Sequence, residues 1–336
     1  MTNVALFVGL DYSESGVQVC LLDRQGRQVA NRLCPNDWRA IAGFAAQHGT
    51  VVQAAIESCS GAANLAEELA TRAGWSIHLA HPGYVERMKQ SPDKTDYQDA
   101  RLLADLVRVG YLPRVWLAPA VVRDLRQLVR YRQQLAEQRR ATKLRVRALL
   151  REHRCQAPAQ LNPWTKGWLR WVQQAAEVGE QSRWVLNKHL AELVRLTGEL
   201  GEVEQRLTEA TANDALVKRL RELPGVGPVT AWVIRAEVGR FDRFTSGKQL
   251  ARFSGVSPRN ASSGNRQADA GLIKASSPLL RAVIIETAHR LPRQEIRWAK
   301  FRARLQAAGK KGSVIAGAIG NRWVRWLYHQ MKEVAA

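Results

Sequence analysis

Two apolar runs of strand length each close on a carboxylate, and this pattern constrains the fold more than any other feature of the chain. Residues 5–10 (Ala5, Leu6, Phe7, Val8, Gly9, Leu10) run into Asp11, and residues 51–56 (Val51, Val52, Gln53, Ala54, Ala55, Ile56) run into Glu57. Runs of this length and composition are buried strands. An acid at the C-terminal tip of a buried strand is poorly placed for a structural task, but well placed as a ligand at the open edge of a sheet. Asp96 and Asp99 add two more acids, three residues apart at the head of an apolar pattern formed by Leu102, Leu103, Leu106 and Val107. On a helix, positions i and i+3 share a face. Read alone, this pair is a first-turn acidic cluster that complements the helix dipole. Read with Asp11 and Glu57, it completes an oxygen-only donor set. Hard divalent ions such as Mg²⁺ take such ligands, and two ions can activate and stabilise the oxygens of a phosphoryl transfer.

The chain has 336 residues, for which two or three domains are expected. Its 51 basic residues outnumber 30 acidic ones, a net charge of +21 that argues for a polyanionic partner, most simply nucleic acid. No apolar run approaches the length of a membrane-spanning helix, and the N-terminus lacks the pattern of a signal peptide. Cys20, Cys34, Cys59 and Cys155 are scattered without metal-ligand spacing. Reduced thiols, no zinc site and a cytoplasmic location are therefore expected.

Residues 1 to about 110 alternate strand and helix signals. Strands are expected at 5–11, 17–22 and 28–32, separated by turns at 13–16 and 23–26. Asn36 is placed to cap a helix reaching about His48. A strand at 51–57, a helix at 62–73 and a strand at 76–80 follow. Three antiparallel strands, then helix, strand, helix, strand and helix, make an α/β plan of the ribonuclease-H-like kind. In that plan the acids come from the first strand, the fourth strand and a later helix.

Four fragments carry a family resemblance: Val8-Gly9-Leu10-Asp11, Glu57-Ser58-Cys59-Ser60-Gly61, His81-Pro82-Gly83-Tyr84-Val85 and Lys94-Thr95-Asp96-Tyr97-Gln98-Asp99-Ala100. Together they resemble the DEDD transposases of RNA-guided (bridge-RNA) insertion sequences, relatives of the pilin-gene invertases. The resemblance implies a RuvC-like domain at 1–112 with Asp11, Glu57, Asp96 and Asp99 as its Mg²⁺-binding acidic tetrad. Each fragment alone is a weak signal; the spaced set is specific.

Beyond Pro119 the period turns helical. Leu125, Leu128, Val129, Leu135, Leu144, Leu149 and Leu150 form an apolar stripe to about residue 154. The other faces carry many cations, among them Arg123, Arg126, Arg130, Arg132, Arg139, Arg140, Lys143 and Arg147. This density suits phosphate contacts along a duplex or a folded RNA, although a solvated coiled-coil face has the same pattern. Residues 155–182 read as a connector rich in tryptophan (Trp164, Trp168, Trp171). A second long helix at about 182–212 carries Leu186, Leu190, Leu193, Leu196, Leu200, Val203 and Leu207. The expectation for 113–212 is a helical coiled-coil hairpin that folds back on itself or pairs with another chain.

A third, mainly α-helical domain is expected at 213–336. It opens on Leu223-Pro224-Gly225-Val226-Gly227-Pro228. A Gly-x-Gly turn entering a helix can hold a phosphate on backbone N–H groups, in the manner of a helix-hairpin-helix, or can be a plain tight turn between packed helices. Residues 244–266 resemble the C-terminal domain of the same transposases, whose proposed nucleophile is a serine before glycine. That serine maps to Ser263, with Ser262 a neighbouring alternative. Arg266, Lys274 and Arg281 are candidate stabilisers of the attacked phosphate, and a tetrad acid is a candidate base. The family usually has glycine two residues after the lysine, where this chain has Ser276. Gly309-Lys310-Lys311-Gly312 allows a close backbone approach to phosphate, and Trp323 and Trp326 read as core.

The resemblance implies a transposase that exchanges DNA strands through a covalent serine–DNA intermediate. Its partners would be donor and target DNA, a non-coding guide RNA and further copies of itself, as a dimer or tetramer. A junction nuclease using metal-activated water is one alternative. An actin-like kinase or ATPase is disfavoured by charge and by Tyr12-Ser13-Glu14-Ser15-Gly16, which fits a phosphate loop poorly. A non-catalytic nucleic-acid-binding protein is the third.

Overall fold

The computed structural model describes residues 4–89, 95–174, 176–260, 269–273 and 276–334. The chain forms two compact units, Met1–Pro119 and Ala120–Ala336.

The first unit runs β1 (Ala5–Tyr12), β2 (Val17–Leu22), β3 (Gln28–Cys34), α1 (Trp38–Ala46), β4 (Thr50–Glu57), α2 (Ala62–Arg72), β5 (Ile77–Ala80), α3 (Pro82–Val85), α4 (Asp96–Arg108) and β6 (Arg114–Val115). Its six-stranded sheet has the order β3-β2-β1-β4-β5-β6. β1, β2 and β3 pair antiparallel, β4 lies parallel to β1, β5 lies parallel to β4, and β6 closes the edge antiparallel to β5. Both faces of the central strands are covered. Leu6, Val8, Leu10, Val19 and Leu21 pack with Ile41, Leu65 and Leu69 of α1 and α2. On the other face Cys20 and Leu22 meet Ala100 and Ala104 of α4. This explains why β2 is apolar at nearly every position instead of strictly alternating.

The cap of α1 falls one residue later than expected. Asp37, not Asn36, accepts the amide of Ala40 at 3.1 Å. The Asn36 carboxamide instead donates to the Tyr12 hydroxyl and the Ser13 carbonyl. Both residue types cap well, and the tertiary contact to β1 decides between them.

The second unit comprises α5 (Ala120–Glu152), α6 (Lys166–Gln174), α7 (Glu180–Ala210), α8 (Ala215–Arg221), α9 (Pro228–Val238), α10 (Gly247–Phe253), β7 (Pro258–Asn260), β8 (Asp269–Leu272), α11 (Pro278–Gln294), α12 (Ile296–Ala307) and α13 (Gly312–Met331). The long helices α5 and α7 pack antiparallel. Leu125, Val129 and Leu135 share a core with Leu196, Leu200, Val203 and Leu207, whereas Val146 and Leu150 join Leu186, Leu190 and Leu193 in another. The first of these cores continues without a break through α8, α9, α11 and α13, so the sequence boundary at 212/213 falls inside one packed body. β7 and β8 form an antiparallel pair, Pro258 opposite Leu272 and Asn260 opposite Asp269, with residues 261–268 between them. No helix among the described residues is long and apolar enough to cross a membrane.

Candidate functional site

Sheet topology places two of the acids together. In the parallel pairing of β1 with β4, Leu10 lies opposite Ile56, so Asp11 and Glu57 follow on adjacent strand ends. The other two arrive on α4, and a glycine sets how close that helix comes. A Cβ on Gly9 would run into the backbone of Ala100 and Ala104. The absence of a side chain there lets α4 lie directly on β1. Thr95 caps α4 by accepting the Gln98 amide. Tyr97 ties the same end to β3, its hydroxyl accepting from Gln28 at 2.6 Å and its carbonyl from Asn31 at 3.1 Å. Asp99 is buried and Asp96 exposed.

The electrostatics record the convergence. The Asp11 carboxyl is raised to about 6, chiefly by burial, then by the charges of Asp96, Asp99 and Glu57, with Lys89 opposing. Each acid makes ionisation of Asp11 harder, because like charges gathered at one site disfavour a further negative charge. Lys89 is the basic residue that the sequence pattern does not reveal. It follows a short 3₁₀ turn, Glu86–Met88. Its ammonium donates to Asp99 Oδ2 at 2.9 Å and lies 3.2 Å from Glu86. Burial lowers the Lys89 pKa, but hydrogen bonds to the two carboxylates more than offset this and leave it raised.

The donor set has the right chemistry for a hard divalent ion: carboxylate oxygens only, of one charge sign, at the rim of a sheet. Among the described residues no three His, Cys, Asp or Glu side chains converge closely enough to enclose a metal. Lys89 meanwhile supplies the positive charge beside Asp99.

In the second unit, Gly225 (φ +79°) turns its open side to Leu291 and Thr287 of α11, which is the packed-turn arrangement, whereas Gly227 faces open space as the N-cap of α9. Arg139 and Lys143 are half-buried on α5, and Arg140 and Arg147 are exposed. Two arginines of α5 that the sequence assigns to phosphate are used internally. Arg126 donates to the Ala236 carbonyl at 2.8 Å, and Arg132 forms an ion pair with Glu204 at 2.6 Å. Arg281 donates to the Ile273 carbonyl at 3.1 Å and so anchors the strand end after β8. Lys310 and Lys311 are exposed between α12 and α13. Trp323 is fully buried and Trp326 half-buried. Lys94, Ser262, Ser263, Arg266 and Lys274 lie outside the described residues.

An α/β unit with a carboxylate cluster at its sheet rim, followed by a helix-rich unit on a strongly basic chain, is matched by DNA-processing enzymes of the transposase class. A DEDD transposase model, described as "Transposase", matches residues 8–154, and "Transposase IS116/IS110/IS902 family" matches residues 217–306. The "Transposase for insertion sequence element IS1111A" of Coxiella burnetii is 26% identical over 327 residues, covering 95% of this chain and 88% of that protein. A Pseudomonas aeruginosa protein, "Probable family 20 transposase", is 26% identical across 96% of this chain and 95% of its own length. The "Transposase for insertion sequence element IS1328" of Yersinia enterocolitica is 24% identical over 81% of each. The chain carries DEDD transposase domains of the IS110/IS116 family. DEDD transposases generally use divalent metal ions. Residues 155–216 fall between the two family matches.

Proposed function

We propose that this transposase exchanges DNA strands with Asp11, Glu57, Asp96 and Asp99 as the acidic set of a RuvC-like, ribonuclease-H-like domain, and with Ser263 as the nucleophile. The observation that carries the reading is the seating of α4 on Gly9, which sets Asp96 and Asp99 near enough to Asp11 for their charges to add to the effect of burial in raising its carboxyl to about 6. Such a shift toward neutrality in a carboxylate cluster marks functional sites. A divalent ion, Mg²⁺ in this reading, held by these acids would supply Lewis-acid stabilisation of phosphate oxygens. Asp11, with its carboxyl raised to about 6, would carry or release a proton near neutral pH. Lys89 would hold Asp99 in place until the site is filled.

At the serine, the Ser263 Oγ–phosphorus bond would form as the bond from phosphorus to a deoxyribose oxygen breaks. The serine proton would pass to a base and a proton to the departing oxygen. The number of phosphoester bonds is conserved, so the reverse attack by another DNA end rejoins strands without an outside energy source. Support for the serine is the resemblance of residues 244–266. Arg266, Lys274 and Arg281 would stabilise the attacked phosphate, and Arg140, Gly227, Lys310 and Lys311 would contact backbone elsewhere, Gly225 being packed against α11. The +21 charge supports binding donor DNA, target DNA and a guide RNA at once. The α5–α7 pair would act as a coiled-coil hairpin in a dimer or tetramer working in the cytoplasm.

The test incubates purified protein with its flanking non-coding RNA, labelled donor and target DNA and Mg²⁺, then looks for a covalent protein–DNA adduct on a denaturing gel. An adduct lost in both Ser263→Ala and Asp11→Ala supports the reading. Cleavage without an adduct, unchanged in Ser263→Ala, replaces it with a nuclease that uses water. Binding without cleavage or adduct in any form replaces it with a non-catalytic nucleic-acid-binding protein.

A further inference from the structure

A turn between the long helices places a tryptophan where glycine is expected. The Thr165 amide donates to the Asn162 carbonyl, which closes a four-residue turn with Pro163 second and Trp164 third. Trp164 has φ +71°, the left-handed value that this turn type reserves for glycine. Among the described residues only Arg154 shares this feature outside glycine. A bulky side chain there is strained, and such strain persists where the surroundings hold it for a purpose.

The turn sends the indole toward the cations of α5. Lys143 Nζ lies 4.9 Å from the ring centroid and Arg147 Cζ 5.9 Å from it. Trp168 backs the ring at 4.6 Å between centroids and is itself buried, whereas Trp164 stays half-exposed. Beside it opens a cavity of about 420 Å³ that is lined by Arg139, Lys143 and Trp164 and walled by Leu190 and Val194 of α7. No carboxylate lines it. Val194 is 75% exposed, an unusual place for a valine on a helix that buries its leucines one turn apart. Burial and the neighbouring charges of Arg139 and Arg147 lower the Lys143 pKa. The volume suits a ligand the size of one nucleotide. An aromatic face beside guanidinium and ammonium groups is how proteins hold an unpaired base and its phosphate.

We propose that this cavity binds one unpaired nucleotide of a single-stranded polynucleotide, the base packed between the Trp164 indole and the Leu190–Val194 wall and the phosphate held by Arg139, Lys143 and Arg147. The inference rests on the nucleic-acid reading above and deepens it. Trp164, Leu190 and Val194 all lie between the two family-matched segments, so the pocket is built largely from the part of the chain that the family models leave out. It is thus a place where this chain would read its own polynucleotide.

The test measures fluorescence anisotropy of the full chain with three labelled probes: short oligouridine, short oligodeoxythymidine and a DNA duplex, all at one salt concentration. Trp164→Ala is expected to weaken single-strand binding about tenfold, while Trp164→Phe keeps most of it. Val194→Glu, at an exposed site that does not threaten the core, is expected to give a similar loss by replacing the apolar wall under the base with a hydrated carboxylate. Duplex binding stays within about twofold in each variant. A loss on oligouridine alone assigns the pocket to RNA through its 2′-hydroxyls, and a loss on both single strands assigns it to unpaired nucleic acid in general. Unchanged single-strand binding, or an equal loss on the duplex, overturns the pocket while leaving the broader reading intact. A wild-type chain that binds none of the three probes overturns both.

Discussion

Lys89 donates to Asp99 at 2.9 Å across a contact in which the lysine side chain is 15% and the aspartate side chain 11% exposed. The ammonium thus occupies, beside one acid of the set, the electrostatic role that a divalent ion would take. Removing one partner of a buried pair leaves an uncompensated charge. Lys89→Gln is expected to cost about 2 kcal/mol of stability in chelator, less than for a fully buried pair because Glu86 and solvent share the lysine. In Mg²⁺ or Mn²⁺ the variant should recover more stability than wild type gains, because no ammonium has to be displaced. Urea unfolding with and without metal reads both effects. Loss of the metal-dependent gain would mean that Lys89 organises the site and does not compete for it.

Gly9 makes a separable prediction. In Gly9→Ala the new methyl meets backbone of α4, which cannot swing aside as a side chain end would. A loss of roughly 3 kcal/mol is expected, the upper part of the range for overpacking. The acids on α4 move with the helix, so metal-dependent stabilisation should fall further than in an equally destabilised core variant such as Leu69→Ala on α2. Matched losses in the two variants would show that α4 placement is not what assembles the acidic set.

The Asp11 carboxyl titrates near 6 in the folded chain, above its ordinary value of 3.8. A raised carboxylate means that the folded state holds the proton more tightly than the unfolded state. Stability from this group is therefore fully present below pH 3.8 and is lost as pH rises through 6. Asp11→Asn should remove that fall, leaving the metal-free variant more stable than wild type at pH 7. Metal uptake should release a proton from Asp11 at pH 5.5 and almost none at pH 8. Calorimetry in two buffers of different ionisation enthalpy counts those protons, and an equal count at both pH values would contradict the assignment.

The order of strands and helices in the first unit was legible because apolar runs and turn residues pointed the same way, while the α1 cap fell on Asp37 and not on Asn36. Asp11 and Glu57 stand out in the sequence for a related reason: a charge at the tip of an otherwise apolar run has no local explanation. Lys89 does not, because it comes from an irregular segment and finds Asp99 only through the fold. The two-residue strand β6 and the β7–β8 pair carry too little periodicity to register. Arg126 and Arg132 looked like their exposed neighbours on α5, since a helical stripe of arginine does not say which members meet a carbonyl or a carboxylate from another helix. Trp164 was visible as a tryptophan but not as the third residue of a tight turn, because nothing in a Pro-Trp step announces a positive φ.

Ser276 yields the last prediction. Its hydroxyl is buried and finds no hydrogen-bond partner among the described residues. It presses on Gly255, where φ is +68° and an added Cβ would collide with the serine Oγ. A buried hydroxyl without a partner costs free energy, so removing it from Ser276 should be neutral or stabilising by up to about 1 kcal/mol. Gly255→Ala faces both the left-handed backbone and the collision, and should destabilise by about 2 kcal/mol. The double variant Gly255→Ala with Ser276→Gly should recover part of that loss, because the colliding side chain is gone while the backbone cost remains. Thermal unfolding of the three variants measures this coupling. Strict additivity between the two positions would mean that the hydroxyl and the glycine do not share the space that the structure gives them.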